Sequence, residues 1–150
     1  HDKIKAMINI AHGEGFGLPI FEAAINELPI IAPGWSGQVD YLYMPVENEK
    51  SGRVKITPLF QKVAYELKEV PKQAVWEGVI QEDSKWCYPK YKSAKKALRS
   101  TYEGYKLHKK NAKILSEKIK EKFNQEKMYN MFCDAFDGNT NTQEERVHLL

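Results

Sequence analysis

The segment NIAHGEGFGLPIFEAAINELPIIAP, residues 9–33, constrains the fold more than any other stretch of the chain. Met7, Ile8, Ile10 and Ala11 form a short apolar run that halts at Gly13, Gly15 and Gly17, the pattern of a buried strand in a parallel sheet. Pro19 falls near the first helical position, where its missing N–H does no harm. Ile20, Phe21, Ala23, Ala24 and Ile25 then predict a helix turned inward. LPIIAP supplies a second apolar run between prolines. Strand, turn, helix and strand in that order predict a βαβ unit, and so an α/β chain with a partial, Rossmann-like parallel sheet.

Beyond this unit, GWSGQVDYL begins with breaker residues and predicts a short helix, and SGRVKI predicts a strand after a polar turn. In KVAYELKEV, Val63, Tyr65 and Leu67 alternate with Lys62, Glu66 and Lys68, which predicts another strand. From Pro89 the period changes. Tyr91, Ala94, Leu98, Tyr102 and Tyr105 recur three or four apart, and Leu115, Ile119 and Phe123 continue that spacing. Two helices broken near 104–111 are expected, with the tyrosines on the buried stripe. Asn124 can cap a third helix carrying Met128, Phe132, Ala135 and Phe136. With 150 residues, one core is the natural size, so 1–137 is expected to be a single unit and 138–150 a polar tail.

The net charge of +3 hides a strong asymmetry. Residues 1–84 hold eight Lys/Arg against twelve Asp/Glu, whereas 85–127 hold fourteen against four. Such a local excess marks either a solvated helix face or a surface that meets phosphate or anionic lipid. Cys87 and Cys133 stand alone, without C-x-x-C spacing, so neither a zinc site nor a disulfide framework is indicated and a reducing cytoplasm is expected. No apolar run approaches the ~18 residues of a membrane span. The chain lacks an initiator Met and opens almost on a strand, so a piece of a longer protein is expected.

The turn HGEGFGLP lies where α/β sheets bind ligands, at the carboxyl end of a strand and the start of a helix. Its glycines let a ligand approach the backbone, and the unpaired N–H groups of Phe16, Gly17 and Leu18 suit a phosphate or sugar oxygen. Glu14 in the turn is an acceptor for hydroxyl donors. Glu22 follows one turn after Leu18, leans back toward the helix start, and is expected to reach the same crevice. Carboxylates beside phosphate-seeking amides describe a ligand with hydroxyls and a diphosphate, which is the chemistry of a sugar nucleotide.

EGFGLPIFE resembles the Glu-x7-Glu signature of the retaining family 4 glycosyltransferases of the GT-B fold, with Glu14 and Glu22 at its ends. LPIIAP matches the family's following turn and strand, and GWSGQVDYL its next glycine turn, with Asp40 where a Glu is common. SKWCYPKYKSAKKALRSTY and AKILSEKIKEKFNQEKMYNMF are similar to its later Trp, Pro and Arg pattern and its closing helices. The resemblance is strong over 12–40 and looser elsewhere in 7–136. It implies the back half of the C-terminal lobe of a retaining, hexosyltransferase-like enzyme. In that reading Glu14 is the catalytic-site carboxylate on the donor sugar, and Gly15, Phe16, Gly17 and Leu18 hold sugar and phosphate. Glu22 receives the ribose hydroxyls. It further implies a UDP-, GDP- or ADP-sugar donor, no metal and no other cofactor, in keeping with the absence of a D-x-D sequence. His12 stands where a Ser is frequent in the family, which leaves its role open.

The family's Gly-Arg and Lys-Gly segment and its acceptor lobe are not in this sequence, so the isolated chain is expected to be inactive. A sheet edge left unpaired is expected to promote self-association. A dinucleotide fingerprint fails because Leu18 follows Gly13-x-Gly15-x-x, and GWSGQ is not a nucleophile elbow because Gln38 closes it. The remaining rival is a binding module in which the basic stretch 85–127, with Tyr88, Tyr91, Tyr102 and Tyr105, contacts nucleic acid or anionic lipid.

Overall fold

A computed structural model describes residues 3–48 and 50–137; the tail expected over 138–150 lies outside the described residues. In chain order the elements are β1 (Met7–Ile8), α1 (Leu18–Ile25), β2 (Ile30–Pro33), α2 (Val39–Leu42), β3 (Tyr43–Glu47) and β4 (Val54–Pro58). They continue with β5 (Gln61–Val63), β6 (Tyr65–Glu69), β7 (Lys85–Pro89), α3 (Tyr91–Glu103), α4 (Tyr105–Lys122) and α5 (Gln125–Phe136). The protein is mixed α/β.

Its centre is the parallel sheet β1-β2-β5, with Met7 opposite Ile30 and Ile31 opposite Gln61. Alternate residues of β2 serve opposite faces. Ile30 and Ala32 join Ile20, Ala24, Leu115 and Ile119 beneath α1 and α4, whereas Ile31 meets Val63, Ala94 and Ala97 beneath α3. A strand covered on both faces has no wet side, so all four residues of β2 are buried. The end of α1 is tied to α4 by the Lys109 ammonium, which donates to the Glu27 carbonyl at 2.9 Å and to its carboxylate at 3.1 Å. Hydrogen bonding to Lys109 holds the Glu27 carboxyl below its ordinary pKa.

The βαβ unit, the strand at SGRVKI, the break at Gly104 and the Asn124 cap are all present, the Asn124 Oδ1 accepting from Lys127 N at 3.3 Å. Three expectations need correction. β1 is two residues long and is not a buried strand: Met7 packs on the core beneath α1 and α4, whereas Ile8 and Ile10 fall on the other side, beyond the cluster that α3 covers, and are exposed. The strand expected through 62–68 is two strands. It divides at Ala64, whose carbonyl accepts from Lys90 N at 2.7 Å and whose N–H donates to Ser93 Oγ at 2.9 Å, so β5 joins the central sheet and β6 pairs antiparallel with β7.

The buried stripe of α3 is also displaced from the one expected. Ala94, Ala97 and Thr101 face the sheet, and Tyr91 and Tyr102 are 78% and 87% exposed. Small residues let the helix axis approach the sheet closely, which turns its bulky neighbours outward. No helix among the described residues is long and apolar enough to cross a membrane.

Candidate functional site

Two turns face one another at the carboxyl ends of β1 and β2. Residues 12–17 form the first, and Gly34-Trp35-Ser36-Gly37 the second. Gly37 N donates to Gly15 O at 3.0 Å, and the Ser36 hydroxyl donates to the Glu14 carbonyl. The approach at Gly37 leaves no room for a side chain, since a Cβ there would overlap the Gly15 carbonyl. A third support comes from below, where the buried Tyr41 hydroxyl donates to the carbonyls of Gly17 at 2.9 Å and Phe16 at 3.1 Å. The Phe16 ring packs on Phe21, Tyr41 and Phe123, so the side chain anchors the turn.

Gly17 is the N-cap of α1, in the left-handed region at φ 78°, with no side chain capping the helix. Among the described residues no protein acceptor takes the N–H groups of Phe16, Gly17 or Leu18. These are the donors that a helix start leaves for a ligand or water.

Glu14 is oriented by Asn9, the residue that follows β1. The Asn9 amide donates from Nδ2 to Glu14 Oε1 at 2.8 Å, while its Oδ1 accepts from Ala11 N at 2.8 Å. Behind Glu14 lies a recess of about 10 Å³, bordered by Asn9, Ser36, Gln38 and Cys87 and large enough for one water. Gln38 Oε1 is buried without a protein partner, while its Nε2 donates to Pro33 O at 2.6 Å.

Glu22 is elsewhere. It is exposed on the flank of α1 and lines a separate cavity of about 730 Å³ with Pro19, Asn26, Met7, Tyr105 and Lys109. The single crevice expected for both glutamates is therefore not what the fold builds. Glu14 folds back onto the strand end, and Glu22 follows the side of the helix that looks past β1.

His12, open in the sequence, links the turn to β7. Its backbone carbonyl accepts from Cys87 N at 2.8 Å, and its Nδ1 lies 2.7 Å from Cys87 O. A carbonyl only accepts, so Nδ1 donates in this hydrogen bond. The ring stacks on Trp86 and touches Tyr88. Neither β7 nor the support from Asn9, Gln38 and Tyr41 was anticipated. The one available signal was Asn9, a side-chain amide that interrupts an apolar run, a residue type that bonds local backbone.

Burial, followed by the Glu14 and Asp40 carboxylates, holds the Tyr41 phenol well above its ordinary pKa of 10.0, so it remains a donor. Burial raises Tyr65 and the Cys87 thiol as well. In each case the folded chain keeps a proton that the unfolded chain releases, so stability present at neutral pH falls as pH climbs through 9 to 11. Melting temperature followed over that range is expected to decline, and more gently in Tyr41→Phe. Parallel slopes for the two proteins would contradict the assignment to Tyr41.

No protein-family model, curated protein or solved structure matches this chain. Among the described residues no three His, Cys, Asp or Glu side chains gather as a metal site.

Proposed function

We propose that residues 7–136 are the donor-binding half of the nucleotide-sugar lobe of a retaining GT-B glycosyltransferase, acting on a UDP-, GDP- or ADP-sugar and an acceptor bound by another lobe. The observation that carries this reading is the Gly17 cap. A glycine turn held from three sides presents the free amides of Phe16, Gly17 and Leu18 at the carboxyl end of a parallel strand. The helix dipole favours an anion there.

A nucleotide sugar is elongated, and the two glutamates suit its two ends. The diphosphate meets the amides, and a leaving nucleoside diphosphate gains stabilisation from the same donors as its charge develops. Glu14 Oε2, with Oε1 already engaged by Asn9, accepts from sugar hydroxyls on the solvent side of the turn. Glu22 accepts from the ribose hydroxyls at the mouth of its own cavity. Asn9 and Tyr41 are positioning residues.

Amide NMR of the 150-residue chain titrated with UDP, GDP and ADP tests the reading. One nucleotide is expected to shift Phe16, Gly17, Leu18 and Glu22. Glu22→Ala is expected to weaken that nucleotide about tenfold, the size of one charged hydrogen bond. Glu14→Gln should weaken the sugar nucleotide and leave the bare nucleotide unchanged. Silence of these amides toward all three nucleotides removes the proposal, and transfer by the isolated chain at the rate of intact enzymes removes its claim of incompleteness.

One observation favours the second reading, a basic binding module. Tyr91 and Tyr102 are exposed between Lys92, Lys95, Lys96, Arg99 and Lys106, and so are free to stack on bases. Salt-dependent binding to an oligonucleotide, with no nucleotide response at the turn, would select it.

A further inference from the structure

Among the described residues, two largely apolar surfaces have nothing packed on them. The first is a groove of about 510 Å³ between α3 and the β1 side of the sheet, lined by Ala6, Ile31, Leu98, Thr101, Tyr102 and Tyr105, with Lys5 at its edge. The second is α5. Glu126, Lys127, Asn130, Asp134 and the C-capping Asp137 occupy one arc, and Met128, Tyr129, Met131, Phe132, Cys133, Ala135 and Phe136, together with Gln125 at the first position, the remainder. No residue of α5 is buried, and Phe132 and Phe136 are 63% and 78% exposed.

Charge matches the two. Around Leu98 and Tyr102, at helical neighbour spacing, stand Lys95, Arg99 and Lys106, whereas the polar arc of α5 has three carboxylates to one lysine. An acidic polar arc also argues against an anionic lipid surface, which selects helices with Lys and Arg there.

Reach decides whose α5 fills the groove. The groove lies at the start of α4, beside Tyr105, and α5 leaves from the opposite end, after Phe123 and Asn124. The 18 residues of α4 span about 27 Å at 1.5 Å each, and the 12 residues of α5 span about 18 Å. A helix of that length, tethered at the far end, cannot lay its apolar arc along a groove centred on Leu98 and Tyr102 of its own chain.

We propose that α5 of one copy docks into the α3/β1 groove of a second copy, and that the exchange is mutual, closing a two-fold dimer. The groove borders the cavity beside Glu22, sharing Lys5 and Tyr105 with it, but Leu98 and Phe132, where the substitutions below are made, line no part of the donor site, so the two tests succeed or fail separately.

Sedimentation of the intact chain over a concentration series should show a reversible dimer. Phe132→Asp, on an exposed residue whose ring meets Phe136 of the same helix, is expected to raise its dissociation constant at least about tenfold, as removal of a central interface aromatic does. Leu98→Asp in the groove should do the same, with unchanged circular dichroism in both variants. A spin label on Cys133, the exposed cysteine, should broaden the amides of Leu98 to Tyr105 in an isotopically labelled but spin-free partner copy. A monomer at all concentrations, a dimer indifferent to both substitutions, or broadening only within one copy overturns the proposal. So does a monomer whose groove amides shift only on adding an oligonucleotide, the result expected if that face serves nucleic acid.

Discussion

Replacing Gly37 with alanine is expected to cost the fold about 2–3 kcal/mol, the upper range for forcing an added methyl into a packed site. The added Cβ would meet the Gly15 carbonyl and carbon and the Phe16 Cα, all backbone atoms that no rotamer change can move aside. For a chain of 150 residues this corresponds to roughly 5–10 °C in melting temperature. The two turns would have to separate, breaking the Gly37–Gly15 hydrogen bond and shifting the amides of Phe16 and Gly17. Nucleotide-induced shifts at those amides should therefore vanish in the same variant. Gly13→Ala is the control, because a Cβ at Gly13 meets nothing within 4 Å. Urea unfolding of both variants decides the matter, and equal stabilities would show that the contact between the turns does not hold the site.

Gly17→Ala is expected to cost about 2 kcal/mol, from a different source. At φ 78° an L side chain carries a left-handed penalty of roughly 1–2 kcal/mol, and the new Cβ would lie 2.9 Å from the Tyr41 hydroxyl oxygen. That second cost is removable. In a Tyr41→Phe background the oxygen is gone, so the double variant should be more stable than the sum of the two single losses predicts, by about 0.5–1 kcal/mol, within the range measured for contacting residues. Strict additivity in a double-mutant cycle would place the whole penalty in the backbone angle. Both variants bear on the proposed function, since Gly17 is the cap whose amide and neighbours would form the anion site.

What could be read from residues alone was what neighbouring residues decide. Glycines followed by Pro19 and an apolar helical period mark the turn and α1, LPIIAP marks β2, and Asn124 marks the start of α5. The backbone donors of the candidate site belong to this class. They follow from a helix start without a capping side chain, which the sequence displays in Gly17-Leu18-Pro19. The direction of Glu14 does not. It depends on Asn9, five residues back, bringing its amide within 2.8 Å once the chain has turned.

The sequence by itself determined the α/β class, the strand–turn–helix–strand order and the helical breaks, because each is set by steric and hydrogen-bond preferences within a few residues. Only the tertiary structure decided that Glu14 and Glu22 line separate cavities, that His12 is bound to β7, and that α3 rests on its alanines with two tyrosines outside. Periodicity identifies which residues share a face. Whether that face is covered depends on which distant segment reaches it, and that is settled by closing the chain in three dimensions.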